Sequence, residues 1–307
     1  MKVSYIGNFS VSFSTETHIA KAWENIGVEV NRIPEQRLHW PDLPELTEGS
    51  DLVLWTRTAG FDPPDLTAQA EAVEAVSVPV VGYHLDRWWG LDRQADVDRS
   101  PWFTSTDFLC TADGGHQAEW KAKGIVHHWF PPAILGDECE LGTQLPQYRF
   151  DVGFVGNLVG YGHKEWGPYR LELYNFLTRK YGRGFKLFPG KGRPQIRGRQ
   201  LASVYASVKV LVGDSCLAGD ATRYWSDRVP ETMGRGGYLI HPWVEGIDEH
   251  YPDLTTYRLG DFDGLGKAID AALNQVDLRK QLAKENRSQV LAFDTYETRM
   301  RQLLAIL

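Results

Sequence analysis

The sequence lacks long hydrophobic runs, closely spaced cysteines and any surplus of positive charge. No stretch reaches the roughly 18 apolar residues of a membrane-spanning helix, so no transmembrane segment is expected. The apolar start is too short for a signal peptide. Three separated cysteines, Cys110, Cys139 and Cys216, favour a reducing cytoplasm over a disulfide framework. A net charge of −7 argues against general attraction to nucleic acid or anionic membranes.

The 307 residues suffice for two domains at roughly 150 residues each. Short apolar runs alternate with helical patterns, which indicates parallel sheets with crossover helices. We predict an α/β fold of two Rossmann-like αβα domains facing each other across a ligand cleft. The boundaries are residues 1–132, a linker over residues 133–148, and residues 149–307, whose last helix could pack back on the first domain.

The pattern also predicts the individual elements. Strands are expected at Val3–Gly7, Val28–Ile33, Asp51–Trp55, Val78–Tyr83, Phe108–Thr111, Val126–Phe130, Asp151–Val155, Phe185–Phe188, Val208–Val212 and Tyr238–His241. Helices are expected at Glu16–Ile26, Leu66–Val76, His116–Lys123, Tyr169–Tyr181, Leu201–Ser207, Arg228–Gly234, Phe262–Leu273 and Leu278–Leu307.

Several metal and cofactor motifs are absent. The sequence has no phosphate-binding G-x-x-x-x-G-K-[ST] loop and no strict dinucleotide-binding G-x-G-x-x-G. Adjacent His127 and His128 would point to opposite faces of a strand, which is poor spacing for metal ligands. The triplets Asp96–Asp98 and Asp261–Asp263 do not follow apolar strands, so we interpret them as solvated turns or helix caps. No metal and no cofactor is therefore expected.

Ser215 follows the strand predicted at Val208–Val212 and could be a hydrolase nucleophile, with the His250 region as its partner. The nucleophile-elbow pattern G-x-S-x-G fails because Leu217 stands at the second glycine. A turn in which Asp214 and Ser215 cap backbone amides explains the same residues.

The segment Arg179–Arg199 contains eight basic residues and no acidic one. Such a stretch suits phosphate binding, and its glycines permit close approach of the backbone to a ligand. A solvated helix end followed by a loop is the alternative.

The helix predicted at Arg228–Gly234 has Ser226 or Asp227 as its N-cap. Arg228 and the first-turn amides suit a diphosphate, and Glu231, on the same face, could bind a ribose diol. A simple capping box is the alternative interpretation.

These residues resemble the C-terminal half of GT-B glycosyltransferases, and most closely the CgeB-like group 1 transferases of bacteria and phages. The similar stretches are Ser14–Ala20, His84–Gly90, Phe154–Asn157, Gly162–Trp166, Tyr169-Arg170, Tyr205–Ser207, Val212–Ser215 and Arg228–Pro242. The resemblance implies an enzyme that moves a sugar from a nucleotide-sugar co-substrate, with UDP as the expected nucleotide, to a hydroxyl acceptor without a metal.

The resemblance places the donor in the second domain. The residues it implies at that site are Gly156, Asn157, His163, Lys164, Arg170, Lys191, Asp214, Ser215, Trp225, Ser226, Arg228 and Glu231. Related proteins often carry a second Glu eight residues before the ribose-binding one, and Arg223 stands there instead. The sugar and the retaining or inverting outcome therefore stay open.

The resemblance places the acceptor in the first domain, at Ser14, Glu16, Thr17, His84, Trp88 and Trp89. An inverting transferase needs a base for the acceptor hydroxyl, and Asp86 or His18 could serve. The alternative for Asp86 is a loop ion pair with Arg87 or Arg93.

Eleven tryptophans are present, and we expect Trp88, Trp89 and Trp225 to offer ring faces to sugars or bases, with Trp166 as a further candidate. The acceptor could be a hydroxymethylated base in phage DNA, or otherwise a glycan or protein. A nucleotide-binding module without catalysis is the other class considered. The sequence does not determine the oligomeric state.

Overall fold

A computed structural model describes residues 1–58, 65–158, 167–190, 194–215 and 221–307. The chain forms two compact units. The first unit contains residues 1–131 and 296–307, and the second contains residues 132–295. Each unit is built around one parallel sheet.

The first unit has, within its described residues, a six-stranded parallel sheet of order β2-β1-β3-β4-β5-β6. The strands are β1 (Lys2–Gly7), β2 (Glu29–Pro34), β3 (Leu52–Trp55), β4 (Val80–His84), β5 (Phe108–Thr111) and β6 (His127–Trp129). The helices between them are α1 (Thr15–Asn25), α2 (Leu43–Leu46), α3 (Leu66–Glu74), α4 (Pro101–Thr104) and α5 (Gln117–Ala122). Sheet and helices enclose an aromatic-rich core.

The second unit has, in its described part, a five-stranded parallel sheet of order β11-β10-β9-β7-β8. Its strands are β7 (Val152–Val155), β8 (Phe185–Phe188), β9 (Val210–Val212), β10 (Leu239–Pro242) and β11 (Thr255–Tyr257). Its helices are α6 (Gly167–Tyr181), α7 (Gly198–Ser207), α8 (Arg228–Gly234), α9 (Ile247–His250), α10 (Phe262–Asn274) and α11 (Val276–Phe293). The sheet order reverses between β7 and β9, and strand ends at such a reversal leave room for a ligand.

The final helical segment differs from the expectation of one helix over Leu278–Leu307. Helix α11 ends at Phe293, and α12 (Tyr296–Ile306) returns to the first unit, where it packs on α1. Asp294 interrupts the helix because its carbonyl oxygen accepts the Ile134 amide at 3.0 Å and its carboxylate bonds to His250 Nε2 at 2.9 Å. The prediction of a single helix is therefore wrong.

Among the described residues, no helix combines the length and apolar character needed to cross a membrane. Cys110 and Cys139 are buried thiols without a disulfide, and Cys216 lies outside the described residues.

A buried carboxylate joins β3 to the loop after β2. Glu35 accepts hydrogen bonds from Trp55 Nε1 at 2.8 Å and from the Thr58 amide at 2.7 Å. Burial raises the pKa of Glu35 to about 7, although these donors favour the ionised form. The folded protein therefore holds the Glu35 proton more tightly than the unfolded chain does.

This pKa shift predicts a pH-dependent stability. Between the ordinary value of 4.5 and about 7, the free energy of unfolding should fall as the pH rises, by up to about 3 kcal/mol. Glu35→Gln should flatten this slope in urea unfolding at pH 5, 6, 7 and 8, whereas exposed Glu48→Gln should leave it unchanged. An unchanged slope in Glu35→Gln would contradict the assignment.

Candidate functional site

A pocket of about 170 Å³ lies in the second unit, where β7 and β8 end. Strand β7 runs into Gly156 and Asn157, β8 runs into Phe188-Pro189, and the start of α8 supplies Asp227, Arg228 and Glu231. These groups meet because the carboxyl ends of parallel strands share one edge of the sheet. The pocket therefore unites four residues that were predicted to bind the donor, Gly156, Asn157, Arg228 and Glu231.

Asp214 connects two arginines beside this pocket. Its fully buried carboxylate accepts Arg170 Nε on one oxygen and Arg228 Nη1, at 2.7 Å, on the other. Both guanidinium groups lie over the Phe154 ring, with Cζ at 5.8 Å and 5.6 Å from its centroid. Arg170 Nη1 also donates to the Asn157 carbonyl oxygen at 2.9 Å. The arrangement fixes two cations at the end of β7.

Gly156 leaves room for the Arg228 guanidinium. A Cβ atom at this position would lie 2.9 Å from the Phe154 ring and 3.2 Å from Arg228 Nη2. The backbone φ of +156° also disfavours other residues. Glycine is therefore required for the close approach between the strand end and Arg228.

Glu231 lines the pocket one helical turn after Arg228. Within the described residues its carboxylate makes no hydrogen bond or ion pair. Burial, and after it the Asp227 carboxylate, raises the pKa of Glu231 above the ordinary value. A part-buried carboxylate with unused acceptor capacity is suited to bind hydroxyl groups of a ligand.

Ser226, one of the two predicted N-cap residues, provides the side-chain hydrogen bond at the start of α8. Its hydroxyl accepts the Arg228 amide at 3.2 Å and donates to the Asp227 carboxylate at 2.9 Å. Asp227 itself makes no side-chain cap hydrogen bond. The carboxylates of Asp227 and Glu231 therefore remain at the pocket rather than capping α8.

The far end of α8 is anchored to the predicted linker. Arg235 donates to the Glu231 carbonyl oxygen at 3.1 Å and to Glu138 at 2.7 Å. Arg287 bonds the carbonyl oxygens of Gly234 and Cys139 at 3.1 Å and 2.9 Å. These contacts hold the helix that carries Arg228 and Glu231 in place.

The basic segment Arg179–Arg199 is not one surface. Arg179 and Lys180 precede β8 and therefore lie at its amino end, whereas Arg197 and Arg199 follow its carboxyl end. Lys180 is also paired with Asp270 at 2.8 Å. Strand β8 therefore separates the two ends of the segment, and Arg197, after the strand, lines the pocket. Phosphate binding by the segment stays a prediction.

Three of the tryptophans expected to offer ring faces are instead core residues. Trp88, Trp89 and Trp225 are 3%, 7% and 0% exposed. The Asp113 carboxylate accepts the amides of Trp88 and Trp89 at 3.0 Å and 3.2 Å, and both indoles pack in the first unit's core. Their large apolar area favours burial, so the prediction that these three rings stack on a ligand is wrong.

His84 and Asp86 lie at the carboxyl end of β4, as expected. His84 Nδ1 accepts the Asp86 amide at 3.0 Å, so the ring proton is on Nε2 and is donated to the Arg57 carbonyl oxygen at 3.1 Å. Burial lowers the pKa of His84, which keeps the ring neutral. The Asp86 carboxylate forms the alternative ion pair, with Arg93 at 2.9 Å. Its role as a base stays a prediction.

Ser14 and Thr17, both predicted on the acceptor side, stabilise the start of α1 through local hydrogen bonds. Ser14 Oγ accepts the Thr17 amide at 3.1 Å and donates to the Asn8 carbonyl oxygen at 2.8 Å, and Thr17 Oγ1 donates to the Val11 carbonyl oxygen at 2.9 Å. Glu16 packs over the end of β1, and burial raises its pKa. Acceptor contacts by these residues, and proton abstraction by His18, stay predictions.

Ser215 has a buried hydroxyl without a hydrogen-bond partner among the described residues, so no histidine there activates it. His250 instead bonds Asp294. The geometry therefore gives no support to a serine hydrolase.

Arg223 adopts a positive φ of 50° and pairs with Glu249 at 2.7 Å. Its side chain packs over Gly246, where a Cβ atom would lie 2.8 Å from Arg223 Cγ.

Four candidate positions, His163, Lys164, Trp166 and Lys191, lie outside the described residues. Within the described part of the chain, His, Cys, Asp and Glu side chains form no metal-binding group of three. The pocket residues on and after β8 were not among the predicted donor-binding residues: Phe188, Pro189, Gln195, Ile196, Arg197 and Leu201. The signal that could have found them is their position after a predicted strand, on the same edge as Gly156.

Comparison with known proteins identifies the class. Residues 144–305 match a family described as "Glycosyl transferase-like", which is more than half of the chain. The chain therefore belongs to the glycosyl transferase-like family, and it is an enzyme of the glycosyltransferase class. No curated protein sequence matches it significantly.

Solved structures agree on the fold. An α-glucosyltransferase in complex with UDP and a 13-mer DNA containing an HMU base aligns with a TM-score of 0.69 and 9% identity, covering 100% of this chain and 99% of that chain. Sucrose-phosphate synthase from Thermosynechococcus elongatus aligns at 0.62 with 13% identity, and Anabaena HepE with UDP and glucose aligns at 0.62 with 12% identity. Both of these cover 100% of each chain. The two Rossmann-like units thus form a GT-B fold.

Proposed function

We propose that this enzyme binds a UDP-sugar in the pocket of Gly156, Arg228 and Glu231 and transfers the sugar to a hydroxyl acceptor. The observation that carries the proposal is the placement of Arg228 and the unused Glu231 carboxylate in one pocket at the ends of β7 and β8. A cation and a carboxylate one helical turn apart match a nucleotide's phosphates and ribose.

The diphosphate would face Arg228, and Arg170 is linked to Arg228 through the Asp214 carboxylate. When the bond between the anomeric carbon and the phosphate oxygen breaks, that oxygen gains negative charge. Arg228, fixed by Asp214 before the reaction, would stabilise this charge without a costly reorientation. We propose that these arginines, rather than a metal ion, neutralise the departing UDP, and that no further cofactor is needed.

UDP is the proposed nucleotide because structures that share this fold were solved with it. The α-glucosyltransferase and Anabaena HepE were both solved in complex with UDP, and HepE also with UDP-glucose. Glucose is therefore the first sugar to test.

The acceptor is proposed only as a hydroxyl-bearing molecule. The DNA in the complex of the α-glucosyltransferase supports a modified base as one candidate. Strand β8 separates the described basic residues at the two ends of the segment Arg179–Arg199, so these residues do not add a contiguous positive surface in support of DNA. DNA binding that falls steeply with salt would support this acceptor.

The proposed location is the cytoplasm, on the grounds of the three separated cysteines.

The ribose contact gives a specific test. Wild-type protein should bind UDP about 10- to 100-fold more tightly than 2′-deoxyuridine diphosphate, because Glu231 would lose one charge-assisted hydrogen bond. Glu231→Gln should bind UDP more weakly and lose most of this preference, as measured by isothermal titration calorimetry. Glu245→Gln, which changes an exposed glutamate, is the control. An undiminished ribose preference in Glu231→Gln would contradict the assignment, and absence of UDP binding would contradict the function.

A further inference from the structure

The pocket lining combines charged and uncharged side chains. Arg228 and Glu231 are charged, whereas Phe188, Pro189, Ile196 and Leu201 are apolar. Gln195, which follows β8, adds a side-chain amide to this lining. Apolar groups beside an amide suit a flat heterocycle with hydrogen-bonding atoms on its edge.

Arg197 fixes the direction of the Gln195 amide. Its Nη2 and Nε donate to Gln195 Oε1 at 2.8 Å and 3.3 Å. A guanidinium has only donors, so the amide atom that it contacts must be the oxygen. Within the described residues, Gln195 Nε2 has no partner. The group that remains for a ligand is therefore a hydrogen-bond donor.

We propose that Gln195 determines nucleobase specificity by donating its Nε2 hydrogen to a base carbonyl in this pocket. This inference rests on the proposed function. Uracil carries a carbonyl oxygen at position 4, whereas cytosine carries an amino group there, which is itself a donor. Placing two donors face to face leaves both without acceptors and weakens binding. Gln195 therefore selects uracil over cytosine, and Arg197 is a positioning residue because it orients the Gln195 amide.

Calorimetric titration with UDP and CDP tests the proposal. Wild-type protein should bind UDP at least about 10-fold more tightly than CDP. Gln195→Glu replaces the donor by an acceptor, so UDP affinity should fall and CDP affinity rise, which narrows or reverses the preference. Gln195→Ala should weaken UDP binding and leave CDP binding nearly unchanged. Gln195 is exposed in the unliganded protein, so neither substitution should alter the melting temperature.

Gln200→Glu is the matched control because Gln200 lies nearby on α7 and bonds the Tyr148 hydroxyl at 2.7 Å, away from the pocket-lining set. It adds the same charge and should retain the wild-type preference. If both Gln195 variants bind UDP with the wild-type preference over CDP, the role of Gln195 is wrong while the donor site stands. If wild-type protein binds neither nucleotide, the proposed function fails, and the inference fails with it.

Discussion

Arg228→Met should weaken UDP binding about 100-fold and reduce turnover of UDP-glucose by about 100- to 1,000-fold. Arg228 is held by Asp214 and by the Phe154 ring, so its guanidinium is already oriented towards the pocket. A methionine keeps much of the apolar volume but removes the charge and the planar donors. Arg228→Lys should recover only part of the affinity, because an ammonium retains the charge without the two-pronged geometry.

Titration calorimetry and UDP release from UDP-glucose measure these effects. Arg179→Met is the control, since Arg179 is an exposed arginine near the end of α6, before β8. It should leave both quantities unchanged. Equal losses in the two variants would indicate that general positive charge, rather than the Arg228 site, binds the nucleotide.

Asp214→Ala should lower the free energy of unfolding by about 3–5 kcal/mol. Arg170 and Arg228 both bond this fully buried carboxylate, and the Arg170 side chain is itself only 6% exposed. Without Asp214, two neighbouring cations in a poorly solvated place lose the carboxylate that they share. UDP should restore part of the lost stability in this variant, because its phosphates supply negative charge beside Arg228.

Urea unfolding with and without UDP measures both effects. The control is Asp151→Ala, which removes a surface ion pair with Lys209, where both side chains are about half exposed. That change should cost at most about 1 kcal/mol. If Asp214→Ala were no more destabilising than Asp151→Ala, the buried ion network would not have the role assigned to it.

Much of the framework could be predicted from the sequence, because the relevant signals are local. The strand Phe185–Phe188 and the helix Arg228–Gly234 were predicted with the bounds that the structure shows. Short, mostly apolar runs, followed by Gly-Asn or Pro-Gly, indicate a strand and its carboxyl end. Arg228 and Glu231 were found because they stand three residues apart in a first turn. Their roles in binding stay predictions.

What the sequence could not provide depends on three-dimensional neighbours. Trp88 and Trp89 are in a loop pattern, yet Asp113, after a different strand, binds their backbone and allows the rings to enter the core. The basic residues of the segment Arg179–Arg199 are close together in the sequence, but β8 separates the two ends of the segment in the fold. Gln195 could have been found from its position after a predicted strand, but the orientation of its amide depends on Arg197 and could not. Strand β11 has only three residues and was missed.

The most direct test of the central claim, that the pocket of Gly156, Arg228 and Glu231 binds the donor nucleotide, is amide hydrogen exchange with and without saturating UDP. We expect slower exchange in three described segments, residues 155–158, 195–201 and 227–235, because a bound nucleotide would cover all three. Segments remote from the pocket, such as α10 and the first half of α11, should exchange at unchanged rates. Protection absent from all three segments, or found only elsewhere, would contradict the claim.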